Sequence, residues 1–346
     1  MNTPTASRRI LLLGSTGTIG QATLRRLLQQ GHQVVCLVRD GGAGAGRHPS
    51  AAPAARIPTA IAALCADRPG ALDVRAVDLL DPGSLRRLGI RGERFDALIS
   101  CMASRTGDAR DAWRVDHDAH VRVLEAARES GISQMVLLSA ICVQRPMLAF
   151  QQAKLAFERA LIDSGLNHSI VRPTAFFKSL SGQFERVRQG KPFLIFGQGD
   201  LTACKPIGDE DLADYIVGCL DDPQRQGRIL PIGGPGPALT PLQQGHALFE
   251  VLGLAPRFKR VPVAVLDGII ATLQTFGHLF PAAARKAEFA RIGRYYATES
   301  MLVWDPERGR YSEEATPSFG QQTLRDHYRD MASGRMGDQR GAHAVF

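Results

Sequence analysis

At 346 residues the chain can bury a large core in one big domain or one and a half. Hydrophobic residues make up 44% and charged residues 22%, which excludes a disordered chain and suits a soluble α/β protein. The net charge of +8 comes from arginines spread along the sequence, with no basic block interleaved with aromatics. No nucleic acid partner is therefore expected, while an acidic small molecule or an anionic membrane surface is compatible with the charge.

Residues 10–13 form a continuous apolar run that stops at a glycine, the pattern of a parallel strand buried on both faces. Three glycines follow at G-x-x-G-x-x-G spacing. Gly14 permits the tight turn, Gly17 lets the backbone approach a pyrophosphate, and Gly20 lets the next helix pack closely on the strand. In that helix Ile19, Thr23, Leu24, Leu27 and Leu28 recur at helical spacing, and Gly31 is placed as its C-cap. Its N-terminus offers free N–H groups and a positive dipole end to phosphate, alongside Ser15, Thr16, Thr18 and Ile19. A second buried run at 34–38 completes a strand-loop-helix-strand context, and dinucleotide binding is the expectation.

Arg39 and Asp40 end that second run and carry the cofactor choice. An acidic residue there suits the ribose 2′-hydroxyl of NAD, whereas an arginine suits a 2′-phosphate. Arg39 comes first, on the side of the strand occupied by Val35 and Leu37, which favours NADPH. Residues 41–58 are rich in Gly, Ala and Pro without periodicity and read as a mobile surface loop. A third strand ends at Asp78, and Asp81 caps a helix with Pro82 in its first turn. A fourth strand spans 97–101, a fifth ends at Ser139, and a sixth breaks at Arg172-Pro173, with helix-length segments between them. The alternation predicts an α/β fold, a Rossmann-type doubly wound parallel sheet that binds its ligand at the carboxyl ends of the strands. Residues at those ends are expected to line the cofactor: Asp78, Leu79, Cys101, Met102, Ala103, Ser139, Ala140, Pro173, Thr174 and Phe176.

Beyond Phe177 the pattern loosens. The expected layout is a dinucleotide-binding domain over 8–178, its sheet completed by parts of 200–235, and a smaller substrate-covering lobe over 179–330 that is largely helical from 241. Residues 331–346 are expected to be a flexible tail. Residues 262–280 come nearest to a membrane span, but Asp267, Gln274 and His278 interrupt them, so an amphipathic or substrate-covering helix is expected. The six cysteines form no C-x-x-C pair and read as reduced, buried thiols, and the nine histidines lack the spacing of a protein-held metal. Residues 1–9 lack an apolar h-region, so a cytoplasmic location is expected.

The glycine spacing, Asp78 after the third strand, Ser139 ending the fifth and Arg-Pro-Thr at 172–174 resemble the atypical, NmrA-like short-chain dehydrogenase/reductases. Longer blocks carry a closer resemblance. SAICVQRP at 139–146, FQQAKLAFE at 150–158, SIVRPTAFFKSLSGQ at 169–183, CKPI at 204–207, LPIGGPGPALTPLQQG at 230–245 and IGRYYATESMLVWDPE at 292–307 are similar to the divinyl chlorophyllide 8-vinyl reductase family. That resemblance implies an NADPH-dependent oxidoreductase of chlorophyll or bacteriochlorophyll synthesis. Its substrate would be a tetrapyrrole that brings its own magnesium, and contact with a membrane periphery or with pathway enzymes would fit.

In the wider dehydrogenase family a Y-x-x-x-K pair on this helix does the acid-base work. Here Phe150 replaces the tyrosine while Lys154 is kept, so Lys154 is the residue the resemblance marks for catalysis and for holding the cofactor ribose. A phenyl ring relays no proton, which leaves two readings: a non-catalytic NADP sensor, or reduction of a bond that generates no alkoxide. A vinyl group conjugated to a macrocycle fits the second. Phe150 and Phe177 would then face the flat pigment, Lys178 and Lys205 would hold its propionate, and Tyr295 or Tyr296 would be candidate proton donors.

Overall fold

The computed structural model describes residues 6–39, 61, 63–64, 67, 70–104, 108–277 and 280–335. Seven strands form the main sheet: β1 (Arg9–Leu13), β2 (Gln33–Arg39), β3 (Leu72–Val77), β4 (Ala97–Ser100), β5 (Gln134–Leu138), β6 (Asn167–Pro173) and β8 (Arg228–Ile232). All neighbours pair in parallel, in the order β3-β2-β1-β4-β5-β6-β8. The chain runs outward in both directions from β1 and β4, so a crevice opens between their carboxyl ends, where a doubly wound sheet binds its ligand.

The period-2 alternation of β1 divides its side chains between two cores. Ile10 and Leu12 pack with Val34, Cys36 and Ile99 under α1 (Thr18–Gln29), while Leu11 and Leu13 pack with Val35, Leu37 and Leu98 on the opposite face. That second face is covered by α2 (His120–Glu129) and α3 (Ala149–Asp163). A strand buried on both sides has no position for a polar residue, which is why residues 10–13 read as one unbroken apolar run. On the first face α1 lies against α4 (Asp209–Gly218), and Arg26 pairs with Asp214 across the contact at 2.8 Å.

Strands three, four and five end one residue earlier than expected. Asp78, Cys101 and Ser139 are the first residues past their strands and stand at the sheet's carboxyl edge, the amides of Cys101 and Ser139 still donating to the carbonyls of Leu13 and Val171. The sixth strand runs through Pro173, where it pairs with Ile232 of edge strand β8; Pro231 is tolerated there because an edge strand has a side without partners. Asp81 caps the helical turn Pro82–Ser84, accepting from the amides of Gly83 and Ser84. The loop expected at 41–58 lies outside the described residues.

After β6 the chain builds a second apolar cluster. Phe177, Phe184, Phe193 from β7 (Phe193–Phe196) and Phe249 from α5 (Pro241–Leu252) meet Leu324, Tyr328 and Met331 of α8 (Leu324–Ala332). Tyr328 donates to the carbonyl of Leu180 at 3.2 Å, and His327 contacts Ser181 Oγ at 2.9 Å. The first part of the expected tail is therefore structured: the helix continues to Ala332 and Met331 is buried, whereas 336–346 lie outside the described residues. β9 (Phe258–Val261) pairs with β7 and leads into a helical hairpin, α6 (Val263–Gly277) and α7 (Pro281–Thr298). A short ribbon, β10 (Val303–Asp305) with β11 (Arg310–Ser312), follows. No described helix is long and apolar enough to cross a membrane.

Candidate functional site

The glycine loop folds as its spacing requires. Gly14 has φ of +76°, and a Cβ there would lie 2.5 Å from the carbonyl carbon of Cys101, so the loop presses against the end of β4. A Cβ on Gly20 would lie 2.1 Å from the Gly14 oxygen, which is how closely α1 approaches the loop. Gly17 is the N-cap of α1 and no side chain caps the helix, leaving its first amides to a ligand. The Ser15 hydroxyl is buried with no hydrogen-bond partner among the described residues. An uncapped helix start, a glycine cradle and an unsatisfied buried hydroxyl together fit a pyrophosphate. Thr18 Oγ1 accepts from Lys178 Nζ at 2.6 Å, and Ile19 turns its side chain into the core.

Around this loop stand the other expected cofactor residues. Arg39 is exposed at the end of β2, and Asp78 is exposed past β3, accepting from the Leu80 amide, with Leu79 packed on the core beside it. Cys101 places its thiol 3.6 Å from Thr23 Oγ1, and burial pushes that thiol up to about 12, so it stays protonated. Met102 and Ala103 continue the same edge. Pro173 and Thr174 are buried at the end of β6, with the Thr174 amide donating to Ile232, and half-buried Phe176 bridges to Ile207.

A buried polar cluster lies between α3 and the helix preceding α2. Residues Trp113–Ala119 form a π-helical segment, a widening of the kind often found at functional sites, and it turns Asp116 inward. Lys154 Nζ meets Asp116 Oδ1 at 2.9 Å; the carboxylate side chain is wholly buried and the lysine side chain 12% exposed. Ser104 donates to the other carboxylate oxygen at 2.5 Å. His120, one turn on from Asp116, lies 2.8 Å from both Ser100 Oγ and the Val115 carbonyl. Burial, partly offset by Asp116, holds its pKa down at about 4, so the ring is neutral.

One helical turn beyond Lys154, Glu158 is buried and paired with Arg172 of β6, while Ser139 Oγ donates to the same carboxylate at 2.5 Å. The Ser139 proton is thereby committed, which leaves the hydroxyl oxygen as an acceptor only. Asp116, Glu158 and His120 are not singled out in the sequence, where each reads as an ordinary helix residue, and Arg172 stands there only as part of the Arg-Pro-Thr motif, with no partner named. The spacing of four between Lys154 and Glu158 was the one available signal.

Of the expected pigment contacts, Phe150 stays beside the site: it is half-buried, packed against the cluster that holds Ala140, Cys142 and Tyr295. The other three are corrected. Phe177 is 2% exposed and sits in the second apolar cluster, its ring centroid 5.4 Å from that of His327, so no ligand reaches it. Lys178 reaches the phosphate end of the glycine loop rather than the substrate region. Lys205 is turned toward the C-terminal segment, donating to the Thr316 carbonyl at 3.1 Å and to Ser318 Oγ at 3.2 Å. Tyr295 also changes role. Its hydroxyl donates to the Cys142 carbonyl at 3.0 Å, and burial raises its pKa further, so it is a packing residue. Tyr296 is partly exposed as a residue, but its hydroxyl is turned to the Cys142 thiol and burial holds it well above the usual phenol range, so it too is no ready proton donor. Among the described residues no cluster of His, Cys, Asp and Glu could hold a metal.

A nucleotide cradle at the carboxyl edge of a doubly wound sheet, with a lysine held at its side, defines the class: an NAD(P)H-binding oxidoreductase. A family model described as NAD(P)H-binding matches residues 14–223. The divinyl chlorophyllide a 8-vinyl-reductase of Cucumis sativus is 44% identical, over 97% of this chain and 79% of its own, and that of Oryza sativa subsp. indica is 46% identical, over 97% and 82%. The chain belongs to the divinyl chlorophyllide a 8-vinyl-reductase family. Among solved structures, the NADPH-dependent quinone oxidoreductase of Escherichia coli, in complex with NADPH, shares the fold with a TM-score of 0.64 at 17% identity, over 93% of this chain and 99% of that one. Both plant relatives are described as chloroplastic.

Proposed function

We propose that this protein reduces the 8-vinyl group of divinyl chlorophyllide a or divinyl protochlorophyllide a to an ethyl group, with NADPH as the hydride source. One observation carries the reading within this family: Phe150 stands one turn before Lys154, at the position where a ketone reductase needs its phenol. Hydride and proton add across the vinyl C=C. Hydride bonds to one vinyl carbon, the displaced π pair spreads into the macrocycle, and the other carbon takes a proton. No alkoxide forms, so no phenol is required.

The chain's own residues bind, orient and exclude water. Asp116 holds the Lys154 ammonium in one place, from which it would hold the nicotinamide ribose and so orient the hydride donor when the cofactor binds. Phe150 offers an apolar face to the pigment ring. Arg39 takes the 2′-phosphate at the far end of the crevice, and Lys178 with the α1 N-terminus takes the pyrophosphate. With Tyr295, Tyr296 and Ser139 committed elsewhere, proton delivery falls to water. Residues 8–178 with parts of 200–235 form the nucleotide half of the site, and 179–330 supply its cover.

The alternative, a non-catalytic NADP sensor, is disfavoured because the likeness to named reductases runs over nearly the whole chain. The test is to incubate purified protein with each divinyl pigment and NADPH and to follow the Soret band. A blue-shift at the expense of NADPH supports the reading. Tight NADPH binding with neither pigment reduced would overturn it in favour of the sensor.

A further inference from the structure

We propose that the α6–α7 hairpin docks the protein on an anionic lipid surface, with α6 lying in the plane of the interface. This proposal goes beyond the reaction and does not depend on it. None of the described side chains of α6 is buried, although Asp267 is its only charged residue and most of the others are apolar. One row, Val263, Leu266, Ile270 and Leu273, is half-buried, and α6 packs on α7. A second row, Val265, Ile269 and Phe276, lies roughly a quarter-turn away at 100° per residue and is turned to solvent, with Phe280 continuing it at the corner. These four are 43–58% exposed. A second unpartnered stripe on an otherwise satisfied helix marks an interaction surface.

Charge selects the occupant. Residues 257–294 carry seven basic side chains and two acidic ones. Both acids are already paired within the hairpin, Asp267 with Arg294 and Glu288 with Arg291. Exposed Lys259 and Arg260 lie at the base of the stripe, and exposed Arg285 and Lys286 lie near its tip, because the helices run antiparallel with Gly277 against Ala284. Cations at both ends of an apolar row match an anionic headgroup layer above acyl chains. A second copy would bring the same basic surface against itself, and α6 does not qualify as a membrane span.

The test uses the full chain with NADPH bound, sedimented with vesicles of phosphatidylcholine alone or with about 30% phosphatidylglycerol. The parent should co-sediment with the anionic vesicles only, and should be released as salt shortens the Debye length toward about 3 Å at 1 M. Phe276→Ser with Phe280→Ser, and separately Arg285→Glu with Lys286→Glu, should each weaken vesicle binding by roughly tenfold or more while leaving NADPH binding intact. A parent that stays in the supernatant with anionic vesicles overturns the proposal. So do variants that sediment like the parent, or sedimentation velocity showing a dimer that the Phe276/Phe280 variant abolishes while vesicle binding is unchanged.

Discussion

Replacing Lys154 by alanine should unfold the protein more readily as well as slow it. The ammonium faces a carboxylate with no solvent exposure, so Lys154→Ala leaves Asp116 charged, buried and supported only by Ser104 and its amide. Breaking one side of a buried pair costs roughly 3–5 kcal/mol, whereas replacing both sides by apolar residues of similar volume is often close to neutral. At roughly 2 °C per kcal/mol for a large domain, the melting temperature should fall by about 6–10 °C. Lys154→Met combined with Asp116→Leu should recover most of the melting temperature but not turnover, because the ribose contact is still missing. The assay is calorimetry on the three proteins beside single-turnover reduction at saturating NADPH. A Lys154→Ala protein with the parental melting temperature would refute the pairing argument, and a double variant with parental turnover would refute the ribose role.

Arg39→Ala should weaken NADPH by roughly tenfold to a hundredfold and spare NADH, as read by cofactor fluorescence titration, since a charge-assisted contact is worth about 1.5–3 kcal/mol. Lys178→Met should instead weaken both cofactors alike, because a pyrophosphate is common to both; a selective loss of NADPH would move Lys178 to the 2′-phosphate. Phe150→Tyr should leave vinyl reduction close to the parental single-turnover rate, and an enzyme tens of times faster would show that a phenol was wanted after all. His120 binds its proton more weakly folded than unfolded, so it contributes stability that is present above its ordinary value of 6.5 and is lost as pH falls toward about 4. Each pH unit in that window should cost about 1.4 kcal/mol, and denaturant titrations of His120→Gln between pH 6.5 and 5 should show a shallower loss than the parent.

What could be read from the sequence was whatever physics acts over a few residues. Gly14 and Gly20 announce themselves because a Cβ at either would collide with backbone within one turn of chain or across one strand. Asp81 is legible as a cap because its acceptors and the amides it serves lie within three residues. Asp116 was not legible. Its partner is 38 residues away, and only the π-helical widening turns it inward, so in sequence it is one more carboxylate on a polar helix face. Lys178 failed for the same reason, with 160 residues separating it from Thr18. Phe177 and Lys205 were misplaced because residues near the C-terminus, His327 for one and Thr316 with Ser318 for the other, claim them. Nothing close to either residue signals that.

The closure of the second apolar cluster by α8 bears on how the protein is made. Phe177 is fixed by residues that follow it by about 150 positions, and Lys178, its neighbour, contacts Thr18 at the start of the first helix, 160 residues earlier in the chain. Contacts of such sequence separation form late, since the loop entropy must be met before the contact returns anything. On the ribosome the glycine loop emerges first, whereas the α8 residues that pack on Phe177, next to Lys178, are synthesised much later. A nascent protein interrupted before residue 324 would therefore carry a complete G-x-x-G-x-x-G sequence but lack the helix that packs on Phe177.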